Sequence, residues 1–335
     1  MQKLVWSAAL LALLVVSLGA FVRLSEAGLG CPDWPGCYGH ATPFQARGEI
    51  ARVVSQFPEG PVSLAKAWKE MTHRYVAGLL GILVFVMWLY AWRQRRYRGV
   101  ATLLVGVVGL QALLGMWTVT QLLKPVWVAC HLVLGMLLVS GLMVFALAPH
   151  LRSTLESRRL LMTVWGLCAI IVIQILLGGW VSANGAALAC QGFPMCNGSA
   201  WPAMLYLREA FYPMRNLGEM PDGLLLPWSA LVSIHWVHRI GALWVSLFVL
   251  LVVAMGWRVS RLRKHLVILL TVCFMQLGLG VANVLLLLPL PIALAHNMGG
   301  LVLLTVSLLL AVRVTLPLNA KHSAHSYPPL GRSRQ

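Results

Sequence analysis

Four of the ten histidines in this chain recur at a fixed spacing within apolar sequence. His73 and His131 lie in the first half, and His238 and His296 follow them at an offset of 165 residues (238 − 73 and 296 − 131). Within each half, the two histidines belong to helices that are not sequence neighbours and can face each other across a bundle. Two facing imidazoles are what a six-coordinate haem iron needs from a protein, because the porphyrin supplies the other four ligands. The spacing therefore predicts a haem-iron site in each half.

Two other uses of these histidines compete with haem. A histidine inside a membrane span can simply hydrogen-bond to a neighbouring helix. Zinc is the second competitor, but each half offers only two imidazoles, and the loops lack Cys and His at finger spacings. Ionisable groups within spans are functional candidates by default, and four at matched positions and similar depth strengthen that argument. We therefore favour haem.

An arginine follows the first histidine of each pair, at Arg74 and Arg239. Arginines at a membrane rim commonly extend their charged group toward water. A guanidinium also matches a carboxylate in a bidentate way, which would suit a haem propionate. Both interpretations remain open from the sequence.

The two halves differ at Glu70, which lies three residues before His73. The same offset of 165 places His235 at the equivalent position of the second half, so only the first half has the acid. Residues three apart share a face if the helix begins before Glu70, and the carboxylate would then point toward the porphyrin edge. An acid in a first helical turn can also serve only the helix dipole. Because Glu70 lies beside a histidine, we favour the interpretation that its carboxylate exchanges protons. We therefore place any catalysis in the first half.

Apolar segments supply the helices that must position these residues. The 335-residue chain is 59% hydrophobic and only 10% charged, which indicates a membrane protein. A bilayer core needs roughly 20 apolar residues per helix. Eight segments qualify, at about 4–22, 74–92, 100–119, 127–148, 160–181, 232–256, 266–288 and 292–312. The sequence therefore predicts an all-α membrane protein with eight transmembrane helices.

Clusters of positive charge fall in every second connection between these helices. The net charge of +17 could suggest a nucleic-acid partner, but clustering on one side of the bilayer is what cytoplasmic loops require, so we exclude nucleic acid. This topology places both termini in the cytoplasm and two long loops, 24–72 and 182–231, on the outer face. The first apolar run is too long for a typical signal peptide and has no clear cleavage site, so we predict that it is the first helix.

The second half of the sequence repeats the first. Besides the histidines, "QALLG" at Gln111 matches "QLGLG" at Gln276, and earlier motifs match at an offset of 159. We predict two tandem four-helix bundles, 1–150 and 151–315, followed by a disordered cytoplasmic tail, 316–335. Because each bundle has an even number of spans, both have the same orientation, with a pseudo-two-fold axis along the membrane normal, which disfavours an inverted-repeat transporter.

Each long loop contains two cysteines six residues apart, Cys31 with Cys37 and Cys190 with Cys196. The outer compartment is oxidising, so each pair is a candidate disulfide. Free thiols are the alternative.

Several of these motifs together resemble the haem A synthase family of the bacterial and mitochondrial inner membrane. They are "RLSEAGLGCPDWPGC", "EMTHRYVAG", "CHLVLGM", "VHRIGAL" and "AHNMGGL", and the resemblance covers nearly the whole chain. It implies oxidation of the C8 methyl group of haem O to the formyl group of haem A through successive hydroxylations. It also implies haem O synthase and the cytochrome oxidase assembly machinery as partners; homo-oligomer formation is left open.

The family's functional residues carry over by motif. The resemblance implies that His238 and His296 hold a resident haem b, and that His73 and His131 line the site for the substrate, haem O. Glu70 matches the catalytic glutamate. Cys31 and Cys37 match the disulfide of the family's first loop.

Two functions from other classes compete with the synthase. A dihaem b-type electron-transfer cytochrome would keep all four histidines but has no use for Glu70 or the cysteine ring. A haem carrier or chaperone would bind haem without changing it. Haem O synthase itself is excluded, because it needs aspartate-rich Mg²⁺ motifs and this chain has only two aspartates, Asp33 and Asp222.

Overall fold

The computed structural model describes residues 1–58, 60, 62–147, 157–202, 204–220 and 222–314. The proposed tail 316–335 and the boundary at 150/151 between the two predicted bundles lie outside these ranges. Within them, the regular structure is helical, with three isolated β-bridges in the long loops. The predicted all-α class is confirmed.

The described residues form eight long α-helices and two short ones, besides a 3-10 turn at Ala186–Leu188. They are α1 (Gln2–Leu24), α2 (Arg47–Gln56), α3 (Leu64–Arg93), α4 (Arg98–Thr120), α5 (Pro125–Leu147), α6 (Arg158–Ala183), α7 (Leu207–Ala210), α8 (Trp228–Gly256), α9 (Arg263–Leu285) and α10 (Leu290–Val314). All but α2 and α7 are long and apolar enough to cross a bilayer. The protein is therefore a multi-pass membrane protein with the eight spans predicted.

Helix α3 begins at Leu64, ten residues before the predicted start of its apolar segment at 74. The side chain of Ser63 caps the helix by accepting the backbone N–H of Lys66 at 3.2 Å. Residues 64–73 were not predicted as helix because their charged side chains interrupt the apolar run. This early start places Glu70 and His73 on the same helix, as the sequence argument required.

The turns after α4 and α9 end these helices with two left-handed leucines each. Leu122 and Leu123 have φ of 51° and 57°, and Leu287 and Leu288, 165 residues later, have φ of 57° and 62°. A left-handed residue stops helical hydrogen bonding. Helix α9 therefore ends at Leu285, three residues before the predicted end at 288.

The long helices pack in two rings of four. In the first ring α1 packs on α3, α3 on α4, α4 on α5 and α5 on α1; α6, α8, α9 and α10 pack in the same order. The rings meet mainly through α5, which packs on α6 and α10, and there the hydroxyl oxygens of Ser140 and Thr305 lie 3.0 Å apart. A single apolar cluster includes residues of both rings. The pseudo-two-fold axis and the division into two domains stay predictions.

Candidate functional site

Each of the four repeated histidines packs its ring against a glycine on the neighbouring helix. A Cβ built on that glycine would lie only 2.9 to 3.2 Å from the ring Cε1. A methyl group there would force the imidazole to move, so the glycine determines where the ring can lie. The four pairs are His73 with Gly19, His131 with Gly115, His238 with Gly178, and His296 with Gly280.

The two histidines of each half lie in the same ring of four helices, His73 on α3 with His131 on α5, and His238 on α8 with His296 on α10. The side chains are partly buried, and the Nδ1 atoms of His73, His131 and His296 are inaccessible to solvent. Two imidazoles that converge from non-adjacent helices form the donor set of a bis-histidine haem iron. The residues present therefore fit such a group.

Three of the histidines have their backbone carbonyl held by a glutamine of the adjacent helix. The Nε2 atoms of Gln111, Gln174 and Gln276 donate to the carbonyl oxygens of His131, His238 and His296 at 3.1, 2.9 and 2.9 Å. The amide of Gln174 also lies 3.1 Å from Nδ1 of His238. Sequence comparison of the halves missed Gln174, because the first half has a valine, Val15, at the matching position (174 − 159).

The glycines beside the histidines have two different surroundings. Gly135 and Gly299 lie against the amide groups of Gln111 and Gln276, so their missing side chains make room for those amides. At Gly78, in contrast, an added Cβ would meet nothing within 4 Å. Open backbone at this position is compatible with the close approach of a flat macrocycle.

Glu70 lies beneath the first disulfide loop, residues 31–37, whose Cys31–Cys37 bond is confirmed. Its side chain is almost fully buried, and the backbone N–H of Cys31 donates to Oε2 at 2.9 Å. Arg74, one turn later on α3, donates from Nη2 to Oε1 at 2.5 Å. The carboxylate is thus anchored to the loop and to Arg74, a surrounding that the sequence did not predict.

Arg74 also holds the loop itself. Its Nη1 donates to the carbonyl oxygens of Asp33 at 2.8 Å and Gly36 at 2.5 Å. The Asp33 carboxylate accepts the N–H groups of Tyr38 and Gly39 and closes the turn. Burial, then the charges of Asp33 and Glu70, raise the pKa of Tyr38. The guanidinium of Arg74 therefore faces the loop. A contact between Arg74 and a haem propionate stays a prediction.

The second half repeats this arrangement with an imidazole in place of the carboxylate. The second disulfide loop, residues 190–196, has its Cys190–Cys196 bond, and the N–H of Cys190 lies 3.4 Å from Nδ1 of His235. Arg239 approaches Nε2 of His235 at 3.3 Å and donates to the carbonyl of Cys190 at 2.6 Å. A neutral imidazole has one acceptor nitrogen, whereas a carboxylate accepts both donors at once. Glu70 can therefore hold the loop and the arginine at the same time, which His235 cannot do. A contact between Arg239 and a haem propionate likewise stays a prediction.

Two arginines that sequence analysis did not single out, the partly buried Arg23 and the buried Arg215, lie at the C-terminal end of α6. Arg23 donates to the carbonyl of Ser182 at 2.5 Å, and Arg215 donates to the side chain of Asn184. The guanidinium of Arg215 also lies over the ring of Trp180, 5.8 Å from its centre. Cations at a helix C-terminus offset its dipole and its unpaired carbonyls. Arg215 therefore anchors the second long loop to this helix end, and Arg23 holds the end of α1 against it.

Comparison with known proteins agrees with these features. Residues 2–308 match the COX15-CtaA family, described as a cytochrome oxidase assembly protein. The chain is 39% identical over 298 residues to the heme A synthase of Shewanella oneidensis, which covers 87% of this chain and 90% of that protein. It is 28% identical over 323 residues to the heme A synthase of Mesorhizobium japonicum (87% and 84%) and 27% identical over 326 residues to that of Nitrosomonas eutropha (88% of each). The family resemblance found in the motifs is confirmed. This chain belongs to the COX15-CtaA family of cytochrome oxidase assembly proteins.

Proposed function

We propose that this chain is a haem A synthase, an oxidoreductase that converts the C8 methyl group of haem O to the formyl group of haem A through successive hydroxylations. It acts in the cytoplasmic (inner) membrane with both termini in the cytoplasm. Haem O synthase supplies its substrate, and the assembly of cytochrome oxidase consumes its product. The names of its relatives support this function.

The observation that carries the proposal is the difference between the two loop anchors. Glu70 and His235 occupy matching positions and both receive the N–H of a loop cysteine, so the anchor itself does not require an acid. The first half nevertheless has a buried carboxylate three residues from His73. Oxidation of a methyl group needs a proton acceptor, whereas a half that only carries electrons does not.

In the second half, His238 and His296 would hold the iron of the resident cofactor, haem b. Haem b, when bound, supplies an iron that carries one electron at a time. The protein's part is to hold the two imidazoles: Gly178 and Gly280 set the position of each ring, and Gln174 fixes the helix that carries His238. Rigid ligand geometry of this kind suits electron transfer.

The first half holds haem O between His73 and His131. Glu70 lies on the same helix as His73, one turn toward the first disulfide loop, where its two oxygens already accept two N–H donors. A carboxylate has about four lone-pair sites, so it can still accept a proton or stabilise positive charge. We assign that role to Glu70 and the positioning of the substrate to His73.

The experiment that tests this function compares the haems that copurify with the wild type, Glu70→Gln and His238→Ala after coexpression with a haem O synthase. Haems are extracted, separated by chromatography and identified by absorption spectra. The expected result is haem A in the wild type, and haem O or a hydroxylated intermediate with normal haem b in Glu70→Gln. We expect His238→Ala to lose haem b.

Two outcomes would contradict the proposal. If the wild type contains only haem b, the dihaem electron-transfer cytochrome is the better account. If it binds haem O without converting it, the protein is a haem carrier.

A further inference from the structure

We propose that Arg74 is a positioning residue, which locks Glu70 and the first disulfide loop into one unit above His73 and does not contact the substrate. This inference rests on the proposed function for the role of Glu70, but the lock itself can be tested without turnover. It assigns Arg74 a use different from the propionate contact that its place beside His73 first suggested.

The guanidinium group of Arg74 is directed at Glu70 and at the first disulfide loop. Nη2 donates to Glu70, and Nη1 is directed at three loop carbonyls, those of Asp33, Pro35 and Gly36, at 2.8, 3.3 and 2.5 Å. The side chains of Arg74 and Glu70 are only 12% and 5% exposed. Both terminal nitrogens are therefore engaged, and a propionate would have to displace loop carbonyls to bind them.

The chain at the start of the first disulfide loop lies directly on α3, which restricts its movement. A Cβ built on Gly30 would lie 2.7 Å from the backbone of Lys66 and Ala67, so loop and helix backbones are in contact. Cys31 and Cys37 are fully buried in a small apolar cluster that includes Ala67 and Met71. The carboxylate of Glu70 is thus enclosed between the helix, the loop and Arg74.

The second half holds its disulfide loop in the same way, but without an acid. Arg239 donates to the carbonyls of Cys190, Gly192 and Met195 at 2.6, 2.9 and 3.1 Å and approaches His235. The arginine is therefore the shared part of the anchor. In the first half this shared part also donates to Oε1 of Glu70, while the backbone N–H of Cys31 donates to Oε2.

The test compares Arg74→Gln with Arg74→Lys, and uses Arg239→Gln as the matched control in the other half. The first readout is the rate at which a phosphine reduces Cys31–Cys37 and Cys190–Cys196 in the purified protein, followed by alkylation and mass spectrometry. The second readout is the amount of haem O, hydroxylated intermediate, haem A and haem b recovered after coexpression with a haem O synthase.

We expect Arg74→Gln to accelerate reduction of Cys31–Cys37 at least about tenfold and to leave the rate at Cys190–Cys196 unchanged, with the reverse selectivity in Arg239→Gln. Haem O should still bind in Arg74→Gln with normal haem b, while haem A falls at least about tenfold. Arg74→Lys should recover part of the haem A, because it keeps a charge for Glu70. Normal haem b and an unchanged Cys190–Cys196 rate also show that the variant is folded.

Two results would overturn the proposal. Loss of bound haem O with an unchanged Cys31–Cys37 rate would make Arg74 a substrate contact. No change in the reduction rate or in haem A would remove any positioning role. If the wild type makes no haem A, the proposed function fails, but the disulfide rates still decide whether Arg74 locks the loop.

Discussion

Replacing Gly280 by alanine should weaken haem b binding, because it pushes the ring of His296 out of place. Gly280 is on α9, and a Cβ at this position would lie 3.0 Å from Cε1 and 3.6 Å from Nδ1 of His296. Carbon atoms in good contact are about 3.5–4.0 Å apart. The imidazole would therefore have to shift by roughly half an ångström or more.

The size of the effect follows from this overlap. Overpacking by one methyl group costs about 1–3 kcal/mol. Without haem the imidazole can rotate away, whereas ligation to iron holds it in place, so most of this cost appears in the haem-bound state. Since about 1.4 kcal/mol corresponds to a factor of ten, haem b affinity should fall about 5- to 100-fold.

The assay measures transfer of haem b from the detergent-purified protein to excess apomyoglobin, followed by absorption. Gly280→Ala should release haem b faster than the wild type by a factor within that range. Gly278→Ala is the matched control, because it lies on the same helix and its added Cβ would meet nothing within 4 Å. Both variants gain the same helix propensity, about 1 kcal/mol, so the comparison cancels that contribution.

Equal release rates for Gly280→Ala and Gly278→Ala would refute this reasoning. It would mean either that His296 is not an axial ligand or that its ring position does not depend on contact with α9. Slower release of haem b from Gly280→Ala than from the wild type would also refute this reasoning.

Three further predictions concern side chains that hold a loop or a histidine in place. Glu70→His copies the second half, so Cys31–Cys37 should resist reduction nearly as in the wild type while haem A formation falls about 100-fold or more; normal haem A yield would contradict the catalytic role. Gln276→Leu removes the hydrogen bond to the carbonyl of His296, worth about 0.6 kcal/mol on average within a membrane, and should speed haem b transfer about threefold; an unchanged rate would show that this hydrogen bond does not help to hold His296. Arg215→Leu removes a buried cation from Asn184 and should lower Tm in detergent by a few degrees, measured by tryptophan fluorescence; an unchanged Tm would contradict the anchoring of this loop.

The parts of the fold that were predictable depend on short stretches of sequence. Each of the eight spans was recognisable because a bilayer sets a length and polarity that one segment must satisfy by itself. The cysteine pairs were also recognisable, because six residues of loop can bring two thiols together within one turn of chain. The first ten residues of α3 were missed, because their helix depends on capping and propensity rather than on hydropathy.

The surroundings of the candidate site could not be predicted, because its contacts join distant positions. The N–H that Glu70 accepts belongs to Cys31, which precedes it by 39 residues. The glycine that positions His73 lies on another helix, at Gly19. Which residues meet across two helices depends on how each helix is rotated about its axis, and a uniformly apolar helix has no periodic pattern that reveals this rotation.

The sequence alone therefore determined the membrane class, the repeated histidines, the acid at position 70 that the second half lacks, and the family. Each of these depends only on local composition or on a short motif. Only the packed helices decided that Glu70 and Arg74 hold the first disulfide loop and that His235 and Arg239 hold the second. The physical reason is that a hydrogen bond is selected by distance and direction in space. Distance and direction are set only when the loops and helices have packed. Positions 70 and 235 then each hold a disulfide loop, one through a carboxylate and the other through an imidazole.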